Sequence, residues 1–567
     1  MRVLGINFSN DAAAALVVDG HVIAACQEER FTRRKHDAQF PAHAIRMCLA
    51  EADLALPDID AIGFFWNPGI HLEAANAKQI ASPRDHLEYL YCAPAHLLRL
   101  LDEPQVERVE QTLYLRGNKP LRIHYLTHHD CHTAGAFYRS NYASAAVLTV
   151  DGYGERTSTQ IARASAHGLE TLARIEYPHS IGSFYACFTE YLGFRPNSGE
   201  GKVMGLASYG RPQFYAQIRR MVQLTDTGFE LDLSYFSFYL PRRHRYSSKL
   251  VDTLGPARAP ESELTQRHMD IAASMQAVTE ELLLHVGRLA RSLTGESRLC
   301  MAGGVALNCV ANTRLRYELG FEDAFFMPAA SDAGTSIGAA LYVAHVLGED
   351  KPVVHPDTDY LGPAFDEHTI EHHLAISGCS YTRPPSIAEA TASLLAEGKI
   401  VGWFQGRAEL GPRALGNRSI LADPRPADMK DVVNARVKFR EYFRPFAPAV
   451  PEDRCGEFFE HADPSPYMLL VYKTRAEHYD RLRSVTHVDG GARVQTVRPD
   501  QNPLFHELLT AFGARTGLPV LLNTSFNIRG EPVVHSVPDA LKCYFTTDLD
   551  ALAVGPFLLV KREARTE

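Results

Sequence analysis

Short apolar runs separated by polar turns open the chain. Residues 2–7, 13–18 and 21–27 are such runs, and Asp19-Gly20 joins the second to the third. Asp-Gly between apolar runs is a strong hairpin signal, so the pattern predicts three strands with a tight turn between the last two. The same phrase recurs at 145–176, AAVLTVDGYGERTSTQIARASAHGLETLARIE. We interpret the repeat as a duplicated pair of subdomains with a cleft between them, a shape typical of nucleotide binding.

Apolar side chains recur every three or four residues between 264 and 294, which is the period of one helix face. The positions are Ile271, Met275, Val278, Leu282, Val286, Leu289 and Leu293. They predict a long helix that buries this face in the core and ends near Gly295. Two strand–loop–helix units follow, with loops at Gly303-Gly304 and at 329–334. Units of this kind place functional groups at the carboxyl ends of strands.

A polar, proline-rich stretch at 351–385 interrupts this alternation. At 567 residues the chain is too long for one core, because single cores stop growing near about 250–300 residues. The sequence therefore predicts two domains, 1–350 and 386–567, with 351–385 as their connection. The second begins with a helix capped by Ser386 and Glu389. The expected fold class is α/β combined with α+β.

Charge and cysteine usage narrow the functional classes. The 58 Lys and Arg against 67 Asp and Glu give a net charge of −9, which argues against a nucleic-acid or membrane partner. The ten cysteines form no C-x-x-C pair, so structural zinc and a disulfide framework are not expected. No apolar run approaches the length of a membrane span, and the N-terminal segment carries Asn and Asp where a signal peptide is apolar. The expected compartment is the cytoplasm.

Two histidines and two aspartates are candidate metal ligands. His128 and His132 lie four residues apart, so a helix would project both imidazoles from one face. Asp151 and Asp332 each end a predicted strand at a glycine-containing loop, which would direct a carboxylate into a cleft. Two imidazoles with two carboxylates suit Fe, Mn or Zn better than Ca or Mg. The alternatives are a packed or surface histidine pair, and aspartates that serve as turn or helix caps.

Two glycine-rich segments in the first domain could approach a phosphate closely. The phrase MAGGVALN offers Gly303 and Gly304 in a loop, then Asn308 near a helix N-terminus. The phrase NSGEGKVMGLASYG adds Lys202 and Gly205 in what reads as a polar loop. The P-loop spacing is missing, so ATP would have to bind in another way. The alternative for each segment is an ordinary turn.

Basic residues are concentrated in the second domain. Ten fall between 397 and 444, against six acidic ones, and their irregular spacing suggests guanidinium groups that converge on phosphates. They are Lys399, Arg407, Arg413, Arg418, Arg425, Lys430, Arg436, Lys438, Arg440 and Arg444. Further donors for the same anion are Arg493, Asn523, Ser525, Asn527 and Arg529. The alternative is a solvated basic face.

Taken in chain order, the sequence motifs of both domains resemble those of the O-carbamoyltransferases of the NodU/CmcH type. The motifs are EERFTRRKH, HxxxH, VDGYGE, GEGKVMGLASYG, AGGVALN, SDAGTSIGAA, GRAELGPRALGNRSI, KFREYFRPFAP, ARVQTV and NTSFNIRGEP. The resemblance covers essentially the whole chain. It implies an N-terminal duplicated ASKHA-like domain and a C-terminal YrdC-like domain.

The resemblance also implies a two-stage reaction. The C-terminal domain would use Mg²⁺-bound ATP and carbamoyl phosphate to make carbamoyl-adenylate, with Arg413, Lys438, Arg493 and Ser525 at that site. The N-terminal domain would transfer the carbamoyl group to a hydroxyl at an iron site. The family's metal ligands fall on His128, His132, Asp151 and Asp332. Lys35 matches a lysine that lines the transfer pocket.

One position departs from the family pattern. Many members carry His-Asp before AAAAL, with the histidine a candidate base for the acceptor hydroxyl, whereas this chain has Asn10-Asp11. Asparagine cannot act as a base at neutral pH. Our hypothesis is that Asp11 or a nearby histidine takes over, or that the acceptor is as acidic as a phenol.

The expected acceptor is a hydroxylated small molecule of secondary metabolism, such as an antibiotic precursor, and residues 64–118 are expected to cover its cleft. A homodimer is a reasonable expectation. Three other readings stay open. A tRNA-threonylcarbamoylating enzyme should have a basic RNA-binding surface, and a hydrogenase-maturation carbamoyltransferase typically has zinc-finger cysteine pairs. A non-catalytic ASKHA-fold protein would give the arginine-rich segment no role.

Overall fold

A computed structural model describes residues 1–68 and 108–561. The chain forms two compact units. The first comprises Met1–Glu28 and Ala38–His355, and the second comprises Glu29–Asp37 and Pro356–Glu567. Residues 29–37 therefore belong to the second unit, although the predicted boundaries place them in the first domain. The stretch predicted as a connection also contains a regular helix, Glu367–Ser377.

The first unit opens with a six-stranded sheet of order β3-β2-β1-β4-β6-β5. Its strands are β1 Arg2–Asn7, β2 Ala13–Val18, β3 His21–Gln27, β4 Ala61–Phe64, β5 Val109–Tyr114 and β6 Pro120–Tyr125. β1, β2 and β3 pair antiparallel, and β4 pairs parallel to β1 and to β6. The predicted hairpin between β2 and β3 is present.

A second sheet repeats this topology with the order β13-β12-β7-β8-β9. The strands are β7 Ser144–Val150, β8 Thr157–Ser165, β9 Gly168–Glu176, β10 Val222–Thr225, β11 Gly228–Leu231, β12 Arg298–Ala302 and β13 Asp323–Phe326, of which β10 and β11 form a separate hairpin. β7, β8 and β9 pair antiparallel, and β12 is parallel to β7 and to β13. The duplication predicted from the sequence repeat is confirmed.

Helices pack on these sheets. Those of the first unit are Ala42–Ala50, His128–Arg139, Ile181–Tyr191, Glu200–Ala207, Tyr215–Arg219, Ser248–Leu254, Gln266–Thr294, Cys309–Glu318 and Thr335–Tyr342. The predicted long helix is confirmed as Gln266–Thr294, and it stops where Gly295 adopts φ 69°. Six of the seven predicted core positions are buried or half-buried, but Leu293, in the last turn, is 46% exposed.

The second unit is built on a mixed seven-stranded sheet of order β19-β16-β20-β15-β14-β21-β22. The strands are β14 Val401–Phe404, β15 Arg418–Ala422, β16 Ala447–Pro451, β17 Tyr472–Lys473, β18 Gly491–Ala492, β19 Gln495–Val497, β20 Leu521–Ser525, β21 Ala551–Val554 and β22 Phe557–Val560, with β17 and β18 a separate pair. The helices are Glu29–Thr32, Glu367–Ser377, Ile387–Ala396, Met429–Val433, Cys455–Phe458, Pro503–Thr516 and Val537–Thr546. Ile387–Ala396 and Pro503–Thr516 bury their apolar faces against Trp403 and its neighbours.

Both units are thus mixed α/β structures, as expected. The likeness of the second unit to the YrdC fold stays a prediction. None of the helices within residues 1–68 and 108–561 combines the length and the hydropathy needed to cross a bilayer.

Candidate functional site

The four predicted metal ligands come together in the first unit. They are His128, His132, Asp151 and Asp332, and one ligand atom from each lies within 4.8 Å of the others. Both histidines project from the first turn and a half of one helix, one turn apart. Asp151 directly follows β7, and Asp332 begins a short 3-10 turn that leads into the helix Thr335–Tyr342. The helix spacing of the histidines and the strand-end position of Asp151 are as predicted, whereas Asp332 does not end a strand, because β13 already stops at Phe326.

Two glycines allow the ligand-bearing helices to approach each other. Gly135 lies in the histidine-bearing helix, and Gly338 lies in the helix that follows Asp332. A Cβ on Gly338 would collide with the carbonyl oxygen of Cys131, and a Cβ on Gly135 would lie 3.3 Å from the Cα of Gly338. Because neither residue has a side chain, the two backbones can make this contact. The contact brings the Asp332 turn beside the imidazoles.

The imidazole nitrogens face each other at short range. His132 Nε2 lies 3.1 Å from His128 Nε2 and 3.0 Å from Asp151 Oδ2. His128 Nε2 lies 3.4 Å from Asp151 Oδ2 and 3.6 Å from Asp332 Oδ1. Burial disfavours the imidazolium, but the carboxylates outweigh it and raise the pKa of His128 to about 9. Burial keeps the pKa of His132 below its usual value, and the charge of His128 lowers it further.

The carboxylates respond to the same surroundings in opposite ways. Burial acts to raise the pKa of Asp151, but the hydrogen bonds from His128 and His132 hold it well below its usual range. Burial raises the pKa of Asp332 to about 6, opposed by His128 and reinforced by the charge of Asp151. The site therefore concentrates carboxylate charge in a buried volume, which a divalent cation would neutralise.

The residues fit a transition-metal ion. The two histidines are 1% and 2% exposed, so their nitrogens compete little with water. Mixed imidazole and carboxylate ligands favour Fe, Mn or Zn. Such ligands bind at about 2.0–2.2 Å, which puts opposite ligand atoms about 4.2 Å apart. The four ligand atoms, all within 4.8 Å of one another, are close enough to share one ion.

The loop between β1 and β2 supports Asp332. Ser9 Oγ donates to Asp332 Oδ2 at 2.7 Å, and Asn7 Nδ2 donates to the Asp332 carbonyl and to the Asp11 carbonyl. Asn10 is exposed at the tip of this loop, and Asp11 is half-buried. The Asp11 charge acts to raise the pKa of Asp332. The loop therefore holds Asp11, the candidate base, close enough to Asp332 for its charge to act there.

Glu155 is a site residue that was not predicted. It is 3% exposed, and burial raises its pKa to about 7. Its carboxylate accepts hydrogen bonds from the main-chain N–H groups of Asn67 and His128. Its place at the end of the DGYGE phrase was the available signal, but nothing in the sequence tells which backbone groups it would meet.

The glycine loop after β12 packs closely against the backbone around Asp151. Gly303 adopts φ 91°, and a Cβ there would collide with the Val150 carbonyl. A Cβ on Gly304 would lie 3.2 Å from Asp151 Oδ1. The predicted phosphate contact of Asn308 is not supported, because its amide caps the next helix through Ala311 N–H and pairs with Gln276.

The segment predicted as a polar loop around Lys202 is instead a helix, Glu200–Ala207. Gly205 is buried within it, and Lys202 is half-buried with its Nζ 5.7 Å from the Phe194 ring centre. The apolar positions Val203 and Leu206 stabilise the helix by packing. Lys202 and Gly205 therefore do not lie in a phosphate-binding loop.

Cationic side chains gather in the second unit. Burial lowers the pKa of Arg440, and the charges of Arg444 and Arg493 lower it further. Burial also lowers the pKa of Arg444, opposed by Glu441 and reinforced by Arg493 and Arg529. Within residues 1–68 and 108–561 the half-buried guanidinium of Arg444 has no hydrogen-bond partner. Arg440, Arg444, Arg493 and Arg529 together with Lys438 are hereafter the cation cluster.

Lys438 is the buried member of the cation cluster, 3% exposed. Its Nζ donates to the carbonyl of Ser525 at 2.7 Å and to the carbonyl and Oδ1 of Asn527 at 2.8 and 2.7 Å. Burial lowers its pKa well below the usual value, and the charges of Arg440, Arg444 and Lys35 add to this. Ser525 Oγ donates to Asn527 Oδ1 at 2.7 Å. The structure thus groups Lys438, Ser525 and Asn527 at the end of β20.

Two predicted phosphate ligands have structural roles instead. Arg418 is fully buried, its guanidinium lies 3.7 Å from the Phe404 ring centre, and its terminal nitrogens donate to four main-chain carbonyls. Asn523 lies inside the sheet, where its Nδ2 donates to Ala414 O and to Gln495 Oε1. Sequence spacing cannot distinguish such internal donors from ligand-facing ones. Arg413 is half-buried in the loop before β15, and its role stays a prediction.

Lys35 lies in a segment that belongs to the second unit, and its place in the transfer pocket stays a prediction. In this segment, 29–37, Arg30 donates to Gly411 O at 2.7 Å. Arg33 donates to Val533 O and Pro532 O at 2.7 and 2.9 Å. These bonds fix the segment to the unit that holds the cation cluster. Of the predicted acceptor-covering stretch 64–118, residues 69–107 lie outside the described residues.

Comparison with known proteins adds the family. A family model described as "Carbamoyltransferase N-terminus" matches residues 2–341, and one described as "Carbamoyltransferase C-terminus" matches residues 392–561. The chain is a member of the carbamoyltransferase family. It is therefore an enzyme that transfers a carbamoyl group, and the reading as a non-catalytic nucleotide-binding protein is excluded.

Individual relatives agree with this membership. An uncharacterised protein of Synechocystis sp. is 42% identical, over 99% of this chain and 97% of its own length. The nodulation protein NolNO of Sinorhizobium fredii is 39% identical, over 99% of this chain and 80% of its own length. Among solved structures, component A of the Acidaminococcus fermentans (R)-2-hydroxyglutaryl-CoA dehydratase covers 60% of this chain and 97% of its own, at 14% identity and a TM-score of 0.33. That score is too low to carry an argument.

Proposed function

We propose that this carbamoyltransferase is ATP-dependent and works in two stages. The second unit makes carbamoyl-adenylate from carbamoyl phosphate and Mg²⁺-bound ATP. The first unit transfers the carbamoyl group to a hydroxyl of a small-molecule acceptor. The observation that carries the proposal is the cation cluster, and above all the half-buried guanidinium of Arg444, which lacks a hydrogen-bond partner among residues 1–68 and 108–561.

A one-signed cluster of this kind calls for a polyanion. The charges of Arg444 and Arg493 lower the pKa of Arg440, and those of Arg493 and Arg529 lower the pKa of Arg444, whereas Glu441 acts to raise both. Arginine forks bind phosphate oxygens in pairs, and each bound phosphate would restore the lowered pKa values. Triphosphate and carbamoyl phosphate together bring enough negative charge to balance the cluster.

The first stage consumes carbamoyl phosphate, water and ATP, and it releases inorganic phosphate and pyrophosphate. Water converts carbamoyl phosphate to carbamate and inorganic phosphate. A carbamate oxygen then attacks the α-phosphorus of ATP, and the bond to the β-phosphate oxygen breaks to release pyrophosphate. The cation cluster would stabilise the charge that builds up on the non-bridging oxygens. Lys438 would hold the β20 end, so that Ser525 and Asn527 stay in register with the arginines.

In the second stage, the acceptor hydroxyl attacks the carbamoyl carbon and AMP leaves. His128, His132, Asp151 and Asp332 would hold an Fe²⁺ ion, with Mn²⁺ or Zn²⁺ as alternatives. Such an ion supplies Lewis-acid polarisation of the carbonyl or phosphate oxygen. Asp11 lies near Asp332 and is the candidate to accept the hydroxyl proton. Ser9 keeps the Asp332 carboxylate oriented.

Pyrophosphate release tests the first stage. We expect purified protein with Mg²⁺-ATP to release pyrophosphate only when carbamoyl phosphate is present, and not with threonine and bicarbonate. Release that requires threonine would favour a threonylcarbamoyl-type tRNA-modifying enzyme instead.

The variant Asp332→Ala tests the division of labour. We expect pyrophosphate release to stay within about twofold, while binding of Mn²⁺ and radiolabelled carbamoyl transfer to a panel of hydroxylated natural-product scaffolds fall at least about 100-fold. The matched control is Asp226→Ala, an exposed aspartate in the same unit. Loss of pyrophosphate release in Asp332→Ala but not in the control would show that the two activities are not separate.

A further inference from the structure

We infer that Glu155 is a positioning residue for the metal ligands, and that its carboxylate sets the distance between Asp151 and the histidine-bearing helix. The inference rests on the proposed metal function of that site. It assigns no ligand role to Glu155, whose carboxylate is not among the four groups that converge.

The contacts of the Glu155 carboxylate join three segments. Oε1 accepts from Asn67 N–H at 2.7 Å and from His128 N–H at 3.1 Å, and Oε2 lies 3.2 Å from the same His128 nitrogen. Glu155 itself follows Asp151 by four residues in the loop after β7. One carboxylate thus ties the strand end that carries Asp151 to the first residue of the helix that carries both histidines.

Helix capping alone does not explain this carboxylate. Thr127 occupies the N-cap position, but its hydroxyl bonds to Asp130 and caps no main-chain N–H. Within residues 1–68 and 108–561, Glu155 has no lysine or arginine partner in an ion pair. A buried carboxylate that no lysine or arginine pairs is costly, so a cap of lower cost, such as a serine, would serve if stability were the sole requirement.

The packing around Glu155 leaves little freedom. A Cβ on the preceding Gly154 would lie 3.0 Å from the His128 Cβ and 3.0 Å from the His129 Cδ2. The loop therefore lies directly against the ligand-bearing helix. We therefore expect a change in the length or acceptor pattern of residue 155 to shift His128 relative to Asp151.

The bond to Asn67 extends the effect to the aromatic cover of His128. The rings of Phe65 and Trp66 pack edge-on against the His128 ring at 5.8 and 5.9 Å. Asn67 follows them directly, so the Glu155 bond to its N–H holds the two rings in place. The carboxylate therefore holds the main-chain N–H of His128 and also positions the rings of Phe65 and Trp66. These two rings shield the His128 imidazole from water.

Metal affinity tests this role. We would titrate chelator-stripped full-length protein with Mn²⁺ and follow free Mn²⁺ by EPR, with pyrophosphate release and thermal unfolding measured in parallel. Outer contacts of this kind change metal affinity by about 10–100-fold, so we expect Glu155→Ala to weaken Mn²⁺ binding at least about tenfold. Pyrophosphate release should stay unchanged, and so should Mn²⁺ affinity in the exposed control Glu230→Ala.

Conservative variants separate position from charge. Glu155→Gln keeps the reach and one acceptor oxygen, whereas Glu155→Asp keeps the charge and loses the reach. We expect Mn²⁺ affinity in the order wild type, Gln, Asp, Ala. If Glu155→Ala fails to fold, the Gln and Asp variants decide the question.

Metal binding by the wild-type protein distinguishes failure of the proposed metal site from failure of the role of Glu155. Wild-type protein that binds no Mn²⁺, Fe²⁺ or Zn²⁺ would remove the proposed metal site itself. Wild-type protein that binds Mn²⁺, with folded Glu155→Asp and Glu155→Ala binding it equally well, would overturn the role of Glu155 and leave the metal site standing.

Discussion

The two units of this carbamoyltransferase build their charged sites on opposite plans. The first unit surrounds one buried volume with two imidazoles and two carboxylates, whose charges partly offset one another. The second unit gathers five cations whose charges mostly add. A balanced buried set is suited to a cation that replaces a proton, and a one-signed set is suited to an anion. The contrast indicates two ligands of opposite sign within one chain.

The backbone beneath each site differs as well. In the first unit, glycines at 135 and 338 let two helices touch, so small backbone shifts move the ligands directly. In the second unit, Lys438 gathers a strand end by bonding to its carbonyl oxygens. Substitutions should therefore act through geometry in the first unit and through charge in the second.

Among the substitutions that test the contrast between the two sites, Lys438→Met should give the largest change in activity. It removes the buried cation and releases the oxygens of Ser525 and Asn527. We expect pyrophosphate release to fall by about 10³-fold, comparable to the loss of a main electrostatic group, while Mn²⁺ binding stays within about twofold. The readouts are pyrophosphate release and Mn²⁺ titration, with Lys399→Met as a control outside the cluster. Equal loss of both readouts would contradict the separation of the sites.

Arg418→Leu should separate a structural arginine from the cation cluster. Its loss removes a donor from four main-chain carbonyls in a buried region, of which those of Asn417 and Pro363 keep a main-chain N–H donor. We expect the free energy of unfolding of the second unit to fall by about 2–4 kcal/mol, seen as a lower melting temperature in calorimetry. Arg444→Leu is the comparison, because its guanidinium has no hydrogen-bond partner among residues 1–68 and 108–561, and it should lower activity rather than stability. The reverse pattern would reassign both residues.

Asn10→His should give the smallest change, in the direction of a gain. An imidazole at the exposed tip of the β1–β2 loop would add a base beside Asp11. We expect kcat/KM for an alcohol acceptor from the hydroxylated panel to rise about tenfold, with pyrophosphate release unchanged. Asn10→Gln controls for size. No gain with any acceptor would favour Asp11 as the native base or an acceptor that needs little deprotonation.

The sequence predicts the first unit's site better than the second's. Helix periodicity places His128 and His132, and a strand end places Asp151, but Asp332 lies in a 3-10 turn six residues after β13. Even there, the phrase HHDCH offers a third histidine, and only the fold shows that His129 bonds to Thr149 and Thr157 instead. Periodicity finds a face of a helix, but not the groups that meet it.

The second unit shows what charge counting cannot do. Ten basic residues between 397 and 444 predict an anion site, yet Arg418 binds carbonyls, Arg425 pairs with Asp423, and Arg436 pairs with Asp550. The sequence reveals the excess of charge but not which charges are already neutralised. Glu155 and the placement of residues 29–37 likewise depend on contacts between segments far apart in the chain.

The placement of residues 29–37 has a consequence for how this protein can be divided. The chain passes from one unit to the other three times, after Glu28, after Asp37 and after His355. A single cut at His355 would therefore leave the second unit without the segment anchored by Arg30 and Arg33. Recombination among relatives that exchanges only the C-terminal part would combine the second unit's sheet from one protein with residues 29–37 from another. The two halves are thus expected to be inherited together rather than as interchangeable modules.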